Sequence, residues 1–205
     1  MNIVVFGATG GTGRHVVGQA LAAGHRVRAV VRREGVLDPG AGLTEIVVPD
    51  LADGEAVTRA IAGQNAVVSA LGTNAKGPVS VCTNGIASIL AGMARTGVRR
   101  LVAVSAHGAA ETHDRSPYSL ILWATVADKM RDKEAMEELI QAADVDWTIV
   151  RPPALHDSPA TGRYRTGPHL RIGLRSRISR ADLAGFVLNE AAEGNYVHAF
   201  PRIAA

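Results

Sequence analysis

Three glycines, spaced Gly7-x-x-Gly10-x-x-Gly13, follow the apolar run Ile3-Val-Val-Phe6 and precede Val16, Val17, Ala20 and Leu21 at helical spacing. Such a chain ends a buried strand on a turn and starts a helix whose first N–H groups have no partner. Those groups and the positive end of the helix dipole converge on one point, which is an anion site. Each glycine has a mechanical task. Gly7 allows the tight turn, Gly10 with Gly11 lets the backbone approach an anion, and Gly13 lets helix and strand pack closely. Thr9 and Thr12 add hydroxyls for phosphate bonding or capping. The predicted anion is a dinucleotide pyrophosphate. The spacing is a variant of the best-known fingerprint, and the competing reading is a plain strand–turn–helix connection.

The second apolar run, Arg26–Val31, ends in Arg32-Arg33, and the first acid, Glu34, falls two residues late. An acid at this strand end bonds a ribose 2′-hydroxyl, whereas an arginine accommodates a 2′-phosphate and forks onto it. NADP(H) is therefore expected in preference to NAD(H), with a solvated basic turn as the alternative. Further strand ends offer Asp50-Leu51 to an adenine and Leu71-Gly72-Thr73 to ribose and pyrophosphate. Beside a nicotinamide ring they offer Ser105-Ala106-His107 and Arg151-Pro152-Pro153-Ala154-Leu155-His156. Ser105 is the candidate to orient nicotinamide or acceptor. His156 and His107 are candidate acids, although a loop histidine is by default simply solvated.

These residues need a frame. Apolar strand-like runs lie at 2–6, 26–31, 44–48, 66–70, 100–105 and 146–150, with a last short strand expected from Tyr196 to Phe200. Helix-like segments alternate with them near 12–23, 53–62, 79–96, 126–143 and 181–192. The expected fold is α/β, a Rossmann-type doubly wound parallel sheet. Residues 1–205 read as one domain with a small C-terminal substrate-side lobe. Asp53 and the box Ser179-Arg-Ala-Asp182 read as helix N-caps, and Gly97 and Gly194 as C-termini. Two segments break the rhythm, about 106–125 and 151–180. Both leave from carboxyl ends of strands, where ligands of open α/β sheets sit. Leu120, Leu122 and Trp123 could wall a pocket there or form a dimer contact.

Composition narrows the class. A net charge of +3 on 205 residues and a 47% hydrophobic content describe an ordinary globular chain. The single cysteine, Cys82, sits in line with Ile86, Ile89 and Met93 on a helix core stripe, so packing is expected rather than catalysis. No metal site is expected. The first strand begins at residue 2, which leaves no room for a signal peptide, and no apolar run reaches the about 18 residues of a membrane span. A cytoplasmic protein, monomer or homodimer, with no membrane partner is the expectation. Between Ser158 and Ala181 stand six arginines and no acid. They could guide an anionic substrate or form a basic surface. Without interleaved aromatics they do not suit nucleic acid.

Taken together, several motifs carry a resemblance: the loop Gly7–Gly13, Val31-Arg32, Gly63–Thr73, Trp147-Thr-Ile-Val-Arg-Pro-Pro153, Thr161-Gly-Arg-Tyr164 and Ile178-Ser-Arg-Ala-Asp-Leu-Ala184. The chain resembles the atypical short-chain dehydrogenase/reductases, the NmrA-like group, and within it the flavin reductase/biliverdin reductase B type. The resemblance implies NADPH binding at Gly7, Thr9, Gly10, Thr12, Arg32, Asp50, Leu51, Leu71, Gly72, Ser105 and Pro152. It also implies reduction of planar conjugated acceptors such as flavins, quinones or linear tetrapyrroles. Three departures stand out. The short-chain dehydrogenase pattern sets Tyr four residues before Lys, and here Lys129 precedes Lys133. Nothing local brings Tyr118 back; the match to the pattern makes Lys133 a catalytic candidate with Ser105 and His156, while Lys133 with Glu137 reads on its own as an exposed i,i+4 pair. The type also pairs Thr-Ser after the fifth strand and sets His after Pro-Pro. Here Ser105-Ala106 and Ala154 occupy those places. A non-catalytic NADP(H)-binding sensor, or a ketoreductase/isomerase acting on one metabolite, are the rival functions.

Overall fold

The computed structural model describes all 205 residues. Its main sheet has six strands: β1 (Asn2–Phe6), β2 (Arg26–Val31), β3 (Leu43–Val47), β4 (Ala66–Ser69), β5 (Arg100–Val104) and β6 (Asp146–Val150). Their order is β3-β2-β1-β4-β5-β6, and every pairing is parallel. The doubly wound fold expected from the alternation is therefore present. The order reverses beside β1, and the crevice that this reversal opens lies over the glycine loop.

Five helices cover the two faces: α1 (Gly11–Ala22), α2 (Gly54–Ile61), α3 (Val81–Thr96), α4 (Pro117–Gln141) and α5 (Arg180–Glu193). Because strand side chains alternate, β1 feeds both cores. Ile3 and Val5 join Val16, Ala20, Leu183 and Val187 under α1 and α5. Val4 and Phe6 join Ile61, Ile89, Met93 and Ile140 under α2, α3 and α4. Asp53 and Ser179 cap α2 and α5 through the N–H groups of Ala56 and Asp182. Gly97 and Gly194 close α3 and α5 in the left-handed region. Cys82 is buried in α3, where burial pushes its thiol up, away from thiolate chemistry.

Three boundaries differ from expectation. Residues 117–125 are helical, not loop: Ser116 caps with its hydroxyl on Ser119 N–H and Pro117 takes the first helical position. A non-helical Val126 (φ −137°, ψ 33°) divides this segment from the rest of α4. The last strand is β10 (Arg202–Ala204), not 196–200, where only Ala199 bridges to Thr148. His198 takes a positive φ of 55°, and Pro201 has no N–H to give a ladder. Three further short strands are β7 (Ala154–His156), β8 (Arg165–Gly167) and β9 (Arg177–Ser179). They pair as β7 with β9 and β8 with β10, building the substrate-side segment as two small two-stranded sheets. No helix is long and apolar enough to cross a membrane.

Candidate functional site

The glycine loop has the geometry its spacing demands. Gly7 has φ +75°, and an added Cβ would stand 2.5 Å from the carbonyl oxygen of Ala70. A Cβ on Gly13 would overlap the carbonyl oxygen of Gly7, so α1 packs directly on the turn. The Gly10 N–H closes the turn on Gly7 O at 2.9 Å. No side chain caps α1, its first turn holds no acid, and the N–H groups of Gly11, Thr12 and Gly13 donate to no backbone acceptor. A dinucleotide phosphate fits this donor set.

A cleft of about 980 Å³ opens from the loop across the strand ends. Gly7, Thr9, Gly10, Arg32, Asp50, Leu51, Leu71, Gly72 and Thr73 all line it. Gly11, Thr12 and Gly13 are not part of its lining; Thr12 and Gly13 are buried and Gly11 is exposed. Sequence reasoning missed Asn84, Gly85 and Ser88 of α3, which form the floor. Their signal is Gly85: a Cβ there would overlap Leu71 and stand 3.1 Å from Leu51 Cδ1, so the two leucines close over a bare helix face. Arg32 is exposed and forms no ion pair. The turn that carries it is pinned by Glu45, whose carboxylate accepts from the N–H groups of Gly35, Val36 and Leu37 at 2.6, 3.1 and 2.8 Å. Those bonds hold the Glu45 carboxyl below its ordinary range.

Ser105 and Pro152 are not part of the cleft's lining; past the end of β5, Ser105 is buried and its Oγ has no partner. Its N–H donates to Val150 O and that of His107 to Pro152 O, both at 2.8 Å, which carries the β5–β6 pairing past the strand ends and sets the buried Pro152 beside Ser105. An orphaned buried hydroxyl costs free energy until something bonds it. His107 is also buried, with Nδ1 unpartnered. Burial, with Arg202 adding positive charge, pushes its imidazole down to about 4, so it is neutral at physiological pH. Tyr118 packs on this ring with centroids 5.3 Å apart, brought there by the extra helical turns of α4. Beyond Tyr118 a second cleft of about 630 Å³ runs between the start of α4 and residues 172–176. Leu120 points to solvent at 60% exposure, whereas Trp123 donates to Gly108 O and stacks on His113. His156 lies on β7 opposite Ser179, with Nδ1 3.3 Å from Ser158 Oγ, and makes no hydrogen bond to Ser105.

The reading of Lys133 and Glu137 as an exposed pair is wrong. Lys133 Nζ donates to Leu71 O at 2.9 Å and Val104 O at 2.7 Å, clamping the ends of β4 and β5 under the cleft. Glu137 is fully buried and grips the equally buried Arg151 through Nε at 3.0 Å and Nη2 at 2.5 Å. The i,i+4 spacing is real, but each side chain has a better partner on the sheet. Lys133→Met is expected to strand both carbonyls, at about 1.5–3 kcal/mol from the lost charge-assisted bonds. Urea unfolding would read that loss, and a titration would show weakened cofactor binding as Leu71 moves. An unchanged unfolding midpoint would rule the clamp out.

A family model described as NAD(P)H-binding matches residues 7–193. An uncharacterized sugar epimerase, YhfK of Bacillus subtilis, is 28% identical over 95% of this chain and 90% of its own length. The crystal structure of a putative exported protein from Burkholderia pseudomallei is 30% identical, with TM-score 0.80 and complete coverage of both chains. ChuY, an anaerobillin reductase from Escherichia coli O157:H7, shares the fold at TM-score 0.82 and 21% identity, over 99% of this chain and 96% of its own.

Proposed function

The chain belongs to the NAD(P)H-binding family, and we propose that within it this protein is an NADPH-dependent reductase of a planar conjugated acceptor, a flavin, quinone, tetrapyrrole or similar compound. One observation carries the reading: an unpaired Arg32 lines the cleft at the end of β2, and the orphaned, buried Ser105 hydroxyl lies past the end of β5, on the other side of the crevice between β1 and β4. When bound, NADPH supplies a hydride from its nicotinamide ring. The protein's own residues bind and orient. The free N–H groups of α1 take the pyrophosphate, and Arg32 takes the 2′-phosphate. Asp50, Leu51 and Leu71 would line the adenine end, Gly72 and Thr73 would meet ribose and pyrophosphate, and Pro152, buried beside Ser105, would back the ring. Ser105 donates its hydroxyl to nicotinamide or acceptor. A neutral His107 with Tyr118 offers hydrogen bonds without a fixed charge at the acceptor side. The reductase name of the ChuY neighbour supports the reaction class.

A second reading, an NADP(H)-binding sensor without turnover, is favoured by Lys129 in the place of the relay tyrosine and by the structural use of Lys133. Steady-state NADPH oxidation with a panel of flavins, quinones and linear tetrapyrroles separates the two. Turnover of at least one planar acceptor is expected. Tight NADPH binding with no turnover of any would refute the reductase.

A further inference from the structure

We propose that Arg180 is a ligand for the cofactor's pyrophosphate, reaching from the start of α5 to the start of α1. This rests on the cleft being a dinucleotide site. The helices α1 and α5 lie side by side on one face of the sheet, and their first residues, Gly11 and Arg180, meet at its carboxyl edge. The Arg180 side chain lies across Gly11: a Cβ built there would stand 2.7 Å from Arg180 Cδ and 2.8 Å from Nε. Gly11 thus has a second use beside the backbone's approach to an anion. Its missing side chain is the seat of an arginine.

The guanidinium is held but not used up. Nη1 donates to Asp157 at 2.9 Å, while Nε and Nη2 have no acceptor in the protein. Asp157 is 83% exposed, so this ion pair is weak and yields readily to a phosphate. Asp182, the acid nearest in the first turn of α5, is taken by Ser179, Thr161 and Gly162. Among the six arginines of 158–181, Arg180 alone is withdrawn from full exposure and alone forms an ion pair. It is therefore a planar fork with spare donors, fixed beside three free N–H groups at a helix N-terminus. That combination suits two adjacent phosphate groups.

Binding of NADP(H), NAD(H) and ADP-ribose by calorimetry tests the assignment, since all three share the pyrophosphate and only the first carries the 2′-phosphate. Arg180→Gln is expected to weaken all three by the same factor, about tenfold, with the thermal midpoint little changed. Gly11→Ala keeps the arginine but pushes it from its seat, so it should reproduce the loss. The double variant should be no weaker than the stronger single one. Binding of all three by Arg180→Gln within twofold of the wild type would overturn the proposal while leaving the cofactor site intact. Wild-type protein that binds none of them would overturn the cofactor reading itself, and this assignment with it.

Discussion

Replacing Glu137 by alanine is expected to destabilise the protein by about 3–5 kcal/mol, because it leaves a buried guanidinium with only the largely exposed Glu111 as counter-charge and two of its donors unpaired. Arg151 and Glu137 are both fully buried. Arg151 also pairs with Glu111 and lies 4.0 Å from the ring of Phe200. Burial alone would lower the Arg151 guanidinium's affinity for its proton, but the bonds from Glu137 and Glu111 outweigh it and hold it above its ordinary value. For a chain of this size each kcal/mol moves the thermal midpoint by about 2–4 °C, so a fall of roughly 6–20 °C is expected. The effect should reach the site, because Arg151 opens the run that seats Pro152 beside Ser105 and receives the His107 N–H. The double variant Glu137→Leu with Arg151→Met should recover much of the loss, since a packed apolar pair replaces an ion pair at little cost. A single-variant loss below about 1 kcal/mol would mean that water reaches Arg151 and the pair is not closed.

Arg32→Ala is expected to weaken NADP(H) by about 10–100-fold while changing NAD(H) by less than about threefold. The arginine ends β2 at the mouth of the cleft, has no carboxylate partner, and stands on a turn pinned by Glu45. A free guanidinium on a fixed turn loses little conformational freedom when it meets a phosphate. Asp50, the acid that could have served a 2′-hydroxyl instead, is turned to its own backbone, where Oδ1 accepts from Ala52 N–H at 2.9 Å. Titration of both cofactors into both proteins decides the matter. Equal losses for the two cofactors would show that Arg32 supplies only a general positive field.

Much of this was legible in the chain, for physical reasons that differ by feature. Strands buried on both faces need near-continuous apolar runs, so β1, β4, β5 and β6 could be read to within a residue or two, and the less buried β2 and β3 by alternation and position beside them. The loop glycines are legible because each backbone approach excludes a side chain, as Gly7 against Ala70 and Gly13 against Gly7 show. Caps at Asp53 and Ser179 are local contacts, and local contacts leave local signatures. The start of α4 was misread although Ser116-Pro117 announces it, because the apolar run behind it suggested a pocket wall and Val126 interrupts the period.

The sequence by itself determined the doubly wound sheet, the bare helix end over its crevice and the cation at the second strand. Each is dictated by neighbours within a few residues. Only the tertiary structure decided how the charges pair. Lys133 and Glu137 are one turn apart yet bond Leu71, Val104 and Arg151, residues distant in sequence. Tyr118 reaches His107, and Arg180 finds its seat on Gly11 across 169 positions of chain. A long side chain takes the partner that burial places within its reach, and sequence spacing carries no record of which partner that is.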